Sequence, residues 1–458
     1  MKDNLLSLEG LRDALRSGAV SAEHVARLTL KQIADNQESL RAFAHIDETR
    51  VIDEAKHLDR QVAMGVPMQA LHGIPIAIKD IIHVAGWPTG GGSLTRRDAE
   101  LPKRDAFLVS RLRNAGAVII GKSATVEYAF GGWGSNETLG APVNPWDNSH
   151  HRISGGSSNG SGVAVAAGLV PGAIGSDTGG SIRLPSSFSG MVGLKTTAGL
   201  IPTKGVLPLS EMLDTLGPMT RSVRDAAILF DAMADLPDGT SYPSTVSGSQ
   251  AFQGLRIGVP ETLGVTLHPD TELVWKKTQK LIAECGGTLV PVRFPTSLAD
   301  YAAPCGMFLA VDAYRHYGPF AEEEPHRMGD PVRQRILSGK SVRAVDYANN
   351  LARRAEEKHF VARVFDSIDA LVMPSTTMPA PILGEHPEHE SPGAFTRFAN
   401  YFDLAAIGLP AGVTASGLPV GMQFVVPGFQ EARALNVAYR FETANGGPII
   451  CPHIRTIF

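Results

Sequence analysis

The chain has 458 residues, of which 43% are hydrophobic and 19% charged, so it can bury a sizeable core as one large domain or as two or three smaller ones. A formal net charge of −4 with no basic stripe argues against a nucleic-acid or membrane-surface protein. Cys285, Cys305 and Cys451 are too few and too scattered for a disulfide framework or a zinc site, and no apolar run approaches the roughly 18 residues that cross a bilayer.

Residues 5–63 read as helices. Ser21 is a natural N-cap, with Val25, Leu28 and Ile33 following at helical spacing, and a second helix carries Val51, Ala55, Leu58 and Val62 on one side. They predict a packing layer over a sheet. The first core strand is Ile74-Pro75-Ile76-Ala77-Ile78, and it ends in Lys79-Asp80. A lysine there either snorkels to water or is buried and loses its charge, and the residues alone leave both open.

From Asp105 the pattern is a helix, Gly116, the strand Ala117–Ile120 and Gly121-Lys122-Ser123. Residues 116–123 match G-x-x-x-x-G-K-S to the letter, yet a phosphate loop follows a strand, whereas here the middle four residues are strand-like and follow a helix. The same helix, glycine and strand recur over Leu281–Val290, which marks an architectural unit. Phe130-Gly131-Gly132-Trp133 then offers two aromatics that suit either a substrate wall or the core.

The stretch from Gly155 to Ser181 carries the chemistry. Two Ser/Gly clusters, Gly155–Ser161 and Gly175–Ser181, bracket an uncharged Ala/Val-rich segment that predicts a short helix and a short strand. About ten helical residues climb roughly 15 Å and about five extended ones return a similar distance, so Ser157 and Ser181 can meet. Glycine lets the backbone there turn successive N–H groups into one space, as a hydroxyl nucleophile with a developing oxyanion requires. Gly156–Gly160 also matches the G-x-S-x-G elbow with Ser158 as nucleophile. An elbow needs a buried strand just before it, and Asp147–Arg152 is polar.

Together with Ile182-Arg183-Leu184-Pro185 and Gly190–Thr197, this stretch resembles the signature of the amidase signature family of serine hydrolases. The likeness runs from Gly73–Asp80 to Gly417–Gln423. It implies an α/β fold: a single large domain with a central mixed, mostly parallel twisted sheet covered by helices on both faces. In that frame 1–65 is a helical layer, 66–235 the signature core, 236–370 a variable helical region and 371–458 a C-terminal sheet and helix segment. The resemblance implies an amidohydrolase with Ser181 as nucleophile, Ser157 as proton relay on a cis peptide to Gly156, and Lys79 as base. The backbone N–H groups of Thr178, Gly179, Gly180 and Ser181 would form the oxyanion hole, with Phe130, Gly131, Gly132 and Trp133 as candidate substrate contacts. Arg183, close to this machinery in sequence, reads as a structural residue, with an anchor for an acidic substrate as the alternative. The family's Lys-Asp-Asn appears here as Lys79-Asp80-Ile81.

Expected partners are a small-molecule amide and a second copy of the chain, since homodimers are common in the family. No cofactor, metal, nucleic acid or membrane is expected, and the expected location is cytoplasmic. The alternatives are the A subunit of a tRNA-dependent amidotransferase, whose Tyr-Asp-Gly run is not apparent between Asp300 and Gly339, and a non-catalytic scaffold. Residues 296–360 read as helical and the least family-like. Pro237–Gln250 reads as a surface connection, and the His-rich Gly384–Glu390 as a solvated loop rather than a metal site.

Overall fold

The computed structural model describes residues 7–234, 241–246, 251–388 and 390–454. Eleven strands form one sheet: β1 Phe43–His45, β2 Pro75–Lys79, β3 Val118–Ser123, β4 Gly172–Asp177, β5 Val192–Lys195, β6 Thr215–Thr220, β7 Arg256–Pro260, β8 Thr288–Val292, β9 Ala370–Pro374, β10 Ala405–Val413 and β11 Pro419–Val426. Their order is β1-β3-β2-β4-β6-β5-β10-β11-β9-β7-β8.

The sheet is mixed. Parallel ladders join β2 to β3 and β4, and β7 to β8 and β9. The middle, β4-β6-β5-β10-β11-β9, is antiparallel throughout. The expectation of mostly parallel pairing therefore holds around β2 and around β7, and not for the centre or for the edge strand β1, which runs antiparallel to β3. In the centre β5, β6, β10 and β11 enter from opposite directions, an arrangement that helix-and-strand periodicity does not encode.

β2, β4, β5, β6, β9 and β11 are buried at every position, which is why they read as apolar runs without alternation. Ser21 caps the helix Ala22–Leu40 by accepting from His24 N–H, and the helix Glu48–Ala63 buries Val51, Ala55 and Leu58. Both lie against the sheet at β3. The one departure from an all-helical start is the short β1 edge strand between them.

Residues 302–323, 330–338 and 344–367 are helices, as the periodicity of 296–360 predicts. They enclose a second apolar cluster, centred on Phe308, Tyr301, Phe398 and Tyr401, beside the main core. Of the expected surface connection Pro237–Gln250, Tyr242–Thr245 forms a short 3-10 turn, and 237–240 and 247–250 lie outside the described residues.

The helix–glycine–strand unit is real and repeated. Helix Phe107–Asn114 leads through Gly116 into β3, and helix Pro269–Glu284 leads through Gly286 into β8, each glycine at φ +87°. A left-handed residue just past a helix end turns the chain back and is cheapest as glycine. Lys122 sits within β3, wholly buried, with Nζ 2.8 Å from Asp80 Oδ1, 3.0 Å from Pro88 C=O and 3.3 Å from Thr89 Oγ1. Paired inside the sheet, it has no access to a nucleotide, and the G-x-x-x-x-G-K-S match is coincidental.

Candidate active site

Lys79 is the last residue of β2 and is fully buried. Nζ donates to Ser157 Oγ (2.6 Å) and to Ser176 Oγ (2.8 Å). Burial lowers its pKa to about 7, against an opposing pull from the Asp177 and Asp214 charges. The snorkelling alternative is thus excluded. Asp80 turns the other way, to Lys122 and to Gly90 N–H (3.1 Å), so the change from the family's Asn to Ile81 leaves the Lys79 contacts intact.

Ser157 follows a cis peptide from Gly156, as the resemblance implies. Its carbonyl accepts from Val126 N–H (3.1 Å) and Thr125 Oγ1 (3.0 Å). Gly156 itself is enclosed: a Cβ there would stand 2.6 Å from Gly131 O and 2.8 Å from Gly134 N. From here the helix Asn159–Ala166 and strand β4 carry the chain out and back, as the spacing of the two clusters predicts. The clusters rejoin where Ser158 N–H donates to Ser181 C=O (3.3 Å). Ser158 Oγ is wholly buried and tied to the Ser176 backbone at 3.2 Å on both sides, with no strand before it, so the nucleophile-elbow reading fails.

Asp177 organises the loop that ends in Ser181. Its carboxylate accepts from Arg183 Nε and Nη2 (both 3.0 Å), from Asn400 Nδ2 (2.9 Å), and from the N–H groups of Gly180 (2.8 Å) and Ile182 (3.2 Å). The Arg183 charge, with these donors, holds its pKa far below the ordinary carboxylate range despite complete burial. One expectation changes and one alternative closes. Gly180 N–H is committed to Asp177, so it drops out of the four backbone donors expected to form an oxyanion hole. Of the two roles open to Arg183 the structural one holds: it is fully buried, with Nη1 on Gln423 Oε1 (2.8 Å) and Nη2 on Asn400 Oδ1 (2.7 Å).

A cavity of about 490 Å³ opens over Ser181. Phe130, Gly131 and Gly132 line it beside Thr178, Gly179 and Leu184, while helix Ala302–Glu323 contributes Ala302, Ala303, Gly306, Leu309 and Ala310. Trp133 does not line it. That ring is buried against Phe188 at 6.1 Å between centroids, with Nε1 on Glu390 C=O at 2.9 Å, so of the two aromatics Phe130 faces the cavity and Trp133 belongs to the core.

Sequence reasoning missed Ser176 as the second partner of Lys79, Thr178 Oγ1 on Asp214 Oδ1 (2.6 Å), and Asn400, Thr396 and Arg397 from the far end of the chain. Ser176 lay inside the motif and was legible. The Thr396–Asn400 segment carries no local signal, because its role comes entirely from where the fold returns it. Among the described residues no group of three or more His, Cys, Asp or Glu side chains is placed to hold a metal, and His389 of the His-rich loop lies outside them. No described helix is long and apolar enough to cross a membrane.

The chain matches the Amidase family model over residues 24–435, and it belongs to that family. It is an enzyme of the hydrolase class acting on carbon–nitrogen bonds. The chain is 34% identical to the glutamyl-tRNA(Gln) amidotransferase A subunit of Cupriavidus pinatubonensis, over 96% of this chain and 97% of the relative. It is 33% identical to 2-amino-5-chloromuconic acid deaminase of Comamonas testosteroni, over 93% and 96%. A crystal structure of an amidase superposes with a TM-score of 0.87 at 30% identity, covering 95% of this chain and 99% of that one.

Proposed function

We propose that the chain hydrolyses a small-molecule amide through an acyl-serine intermediate, with Ser181 as nucleophile, Ser157 as proton relay and Lys79 as base. The observation that carries this reading is the buried Lys79 amine, 2.6 Å from Ser157 Oγ, without a carboxylate hydrogen-bonded to it and with its pKa near neutrality. A serine hydroxyl is a weak nucleophile until a base takes its proton, and a charged ammonium has no lone pair to take one. Ser181 Oγ attacks the carbonyl carbon. As that bond forms, its proton passes to Ser157 Oγ while the Ser157 proton passes to Lys79 Nζ. The carbonyl oxygen, now anionic, lies against the N–H groups of Thr178, Gly179 and Ser181; losing one such donor typically costs about 3 kcal/mol of transition-state stabilisation. Collapse breaks the C–N bond, with the proton returned along the same path to the departing amine. Water then attacks acyl-Ser181 by the same relay and frees the acid.

A fluorophosphonate probe tests the reading. It labels the wild-type chain and fails to label Ser181→Ala, and an amide panel scored for released amine is blank for Lys79→Ala. Labelling of Ser158, or undiminished turnover by Lys79→Ala, overturns it. The amidotransferase relatives keep one second reading in view, in which the same chemistry feeds ammonia to a complex. Hydrolysis of free amides by the chain purified alone favours the first, and activity that appears only with partner subunits favours the second. A scaffold without catalysis predicts that no serine labels.

A further inference from the structure

The cavity over Ser181 contains a cation that no described carboxylate pairs with. Arg397, at the start of the helix Arg397–Tyr401, reaches into it between Gly179 and Gly306. A Cβ on Gly179 would stand 3.5 Å from Arg397 Cγ and 3.6 Å from Nε, and one on Gly306 would stand 3.1 Å from Nη1. The approach at 306 is tight, so the lack of a side chain there helps to make room for the guanidinium, while at 179 the arginine lies in ordinary packing contact beside the loop that ends in Ser181. Nη1 donates to Ala302 C=O at 2.8 Å, and among the described residues no carboxylate pairs with the group.

The other arginines at the site differ. Arg183 is held by Asp177, and Arg335, which also lines the cavity, is held by Glu388 Oε1 at 2.6 Å and by Phe130 C=O at 2.9 Å. Glu390 lines the cavity too, as a solvent-exposed residue. The neighbouring Arg335 charge and burial both act against the charged form of Arg397, so the site holds this cation at a cost in the empty state. An arginine keeps its charge even so, and presents a planar fork suited to a carboxylate. The rest of that wall, Ala302, Ala303, Gly306, Leu309 and Ala310, offers no competing polar side chain.

We infer that the substrate is an acidic amide, bearing a carboxylate a few bonds from the scissile carbonyl, and that Arg397 selects it by pairing with that carboxylate. This rests on the hydrolase reading for the word amide, while the selection of a carboxylate stands on the cavity alone. The order of binding energies follows: acid above its neutral counterpart, with the gap set by residue 397. A charge-assisted hydrogen-bonded pair in a partly dry site makes that gap about 10- to 100-fold.

The test uses calorimetric titration of Ser181→Ala, which binds without turnover, with succinamate, glutaramate and adipamate, each against its neutral counterpart butyramide, valeramide or hexanamide. At least one acid is expected to bind about 10-fold or more tightly than its counterpart, and the preference is expected to fall below about threefold in Ser181→Ala/Arg397→Gln. Arg397→Lys in the same background, which keeps the charge without the fork, is expected to retain part of it, and guards against a folding defect in the glutamine variant. The inference is overturned if no acid outbinds its counterpart, or if the preference survives Arg397→Gln in a folded protein. Fluorophosphonate labelling of the wild-type chain is scored separately, so a failed hydrolase reading with intact acid preference, or the reverse, is distinguishable.

Discussion

At the scale of single residues the decisive quantity is the protonation state of one amine. Moving Lys79 from water into the sheet favours its neutral form, and the two hydroxyl oxygens of Ser157 and Ser176 replace hydration without supplying a counter-charge. The nearby Asp177 charge is largely spent on Arg183, which limits its pull on the lysine. Because the folded value is lowered from 10.5 to about 7, the amine is free to accept a proton above that pH and is charged below it. The pH profile of kcat/KM is therefore expected to fall on the acid side with unit slope and a midpoint near 7, in contrast to an unperturbed lysine, whose limb would lie near 10. Lys79→Ala is expected to lose about 10²- to 10⁴-fold of activity and to flatten this limb, and steady-state kinetics from pH 5 to 10 check both. A limb whose midpoint lies above pH 9 would show that the amine is not desolvated in the working enzyme.

The same scale shows what the sequence carried. Lys79, Ser157 and Ser181 stand out as candidates because each sits in a short run of unusual residue types, and the contact of Lys79 with Ser157 is where the structure meets that expectation. Arg183 left a structural role and a substrate contact both open in the sequence, since the partners that decide for the structural one, Gln423 and Asn400, lie more than 200 positions away. Arg397 was missed for the converse reason: what marks it is the absence of a carboxylate partner among the described residues, and such an absence exists only in three dimensions.

At the scale of elements, helix ends set both the turns and a pH sensitivity. Gly116 and Gly286 end their helices in the left-handed region, and that local rule was visible as a repeat. Less visible is the start of helix Val223–Met233. Ser222 Oγ caps it by accepting from Asp225 N–H at 3.1 Å, and Glu442, from helix Glu431–Ala444, accepts from Val223 N–H at 3.0 Å. Glu442 is almost wholly buried, and burial, with the nearby Asp225 charge adding to it, raises its pKa to about 8. A raised folded value means that the native chain holds a proton the unfolded chain releases above about pH 4.5. The resulting stability is fully present below that pH and is lost as pH rises through about 8. Glu442→Gln keeps an acceptor for Val223 N–H and removes the titration. Its unfolding free energy relative to wild type is expected to shift in the variant's favour by about 2–4 kcal/mol between pH 5 and pH 9. Urea midpoints at the two pH values measure it, and a constant difference would mean that Glu442 is ionised throughout.

At the scale of the whole molecule, two parallel ladders, around β2 and around β7, are joined through an antiparallel centre, and the candidate active site sits where the first of them meets that centre. Lys79 and Asp177 end β2 and β4 of the first ladder, whereas Gln423 lies in β11 and Asn400 in the short helix Arg397–Tyr401, both contributed late in the chain. Arg183 joins these parts, and β10 packs directly over it at Gly408, where a Cβ would lie 3.4 Å from Arg183 Cβ and Cγ. The pair formed by Arg183 and Asp177 is fully buried, so the Coulomb attraction mainly offsets desolvation, and removing one partner leaves the other charge stranded. Arg183→Met is accordingly expected to destabilise the fold by about 3–5 kcal/mol in urea unfolding. Arg183→Met/Asp177→Asn, which no longer strands an anion but retains an acceptor for Gly180 N–H, is expected to recover part of that loss. Since Asp177 also holds the 180–182 backbone, the single variant is expected to lose fluorophosphonate labelling of Ser181 under conditions where it is still folded. Full stability in Arg183→Met would mean that the β5–β10 ladder and the apolar packing around it hold the two halves of the sheet together without the buried pair.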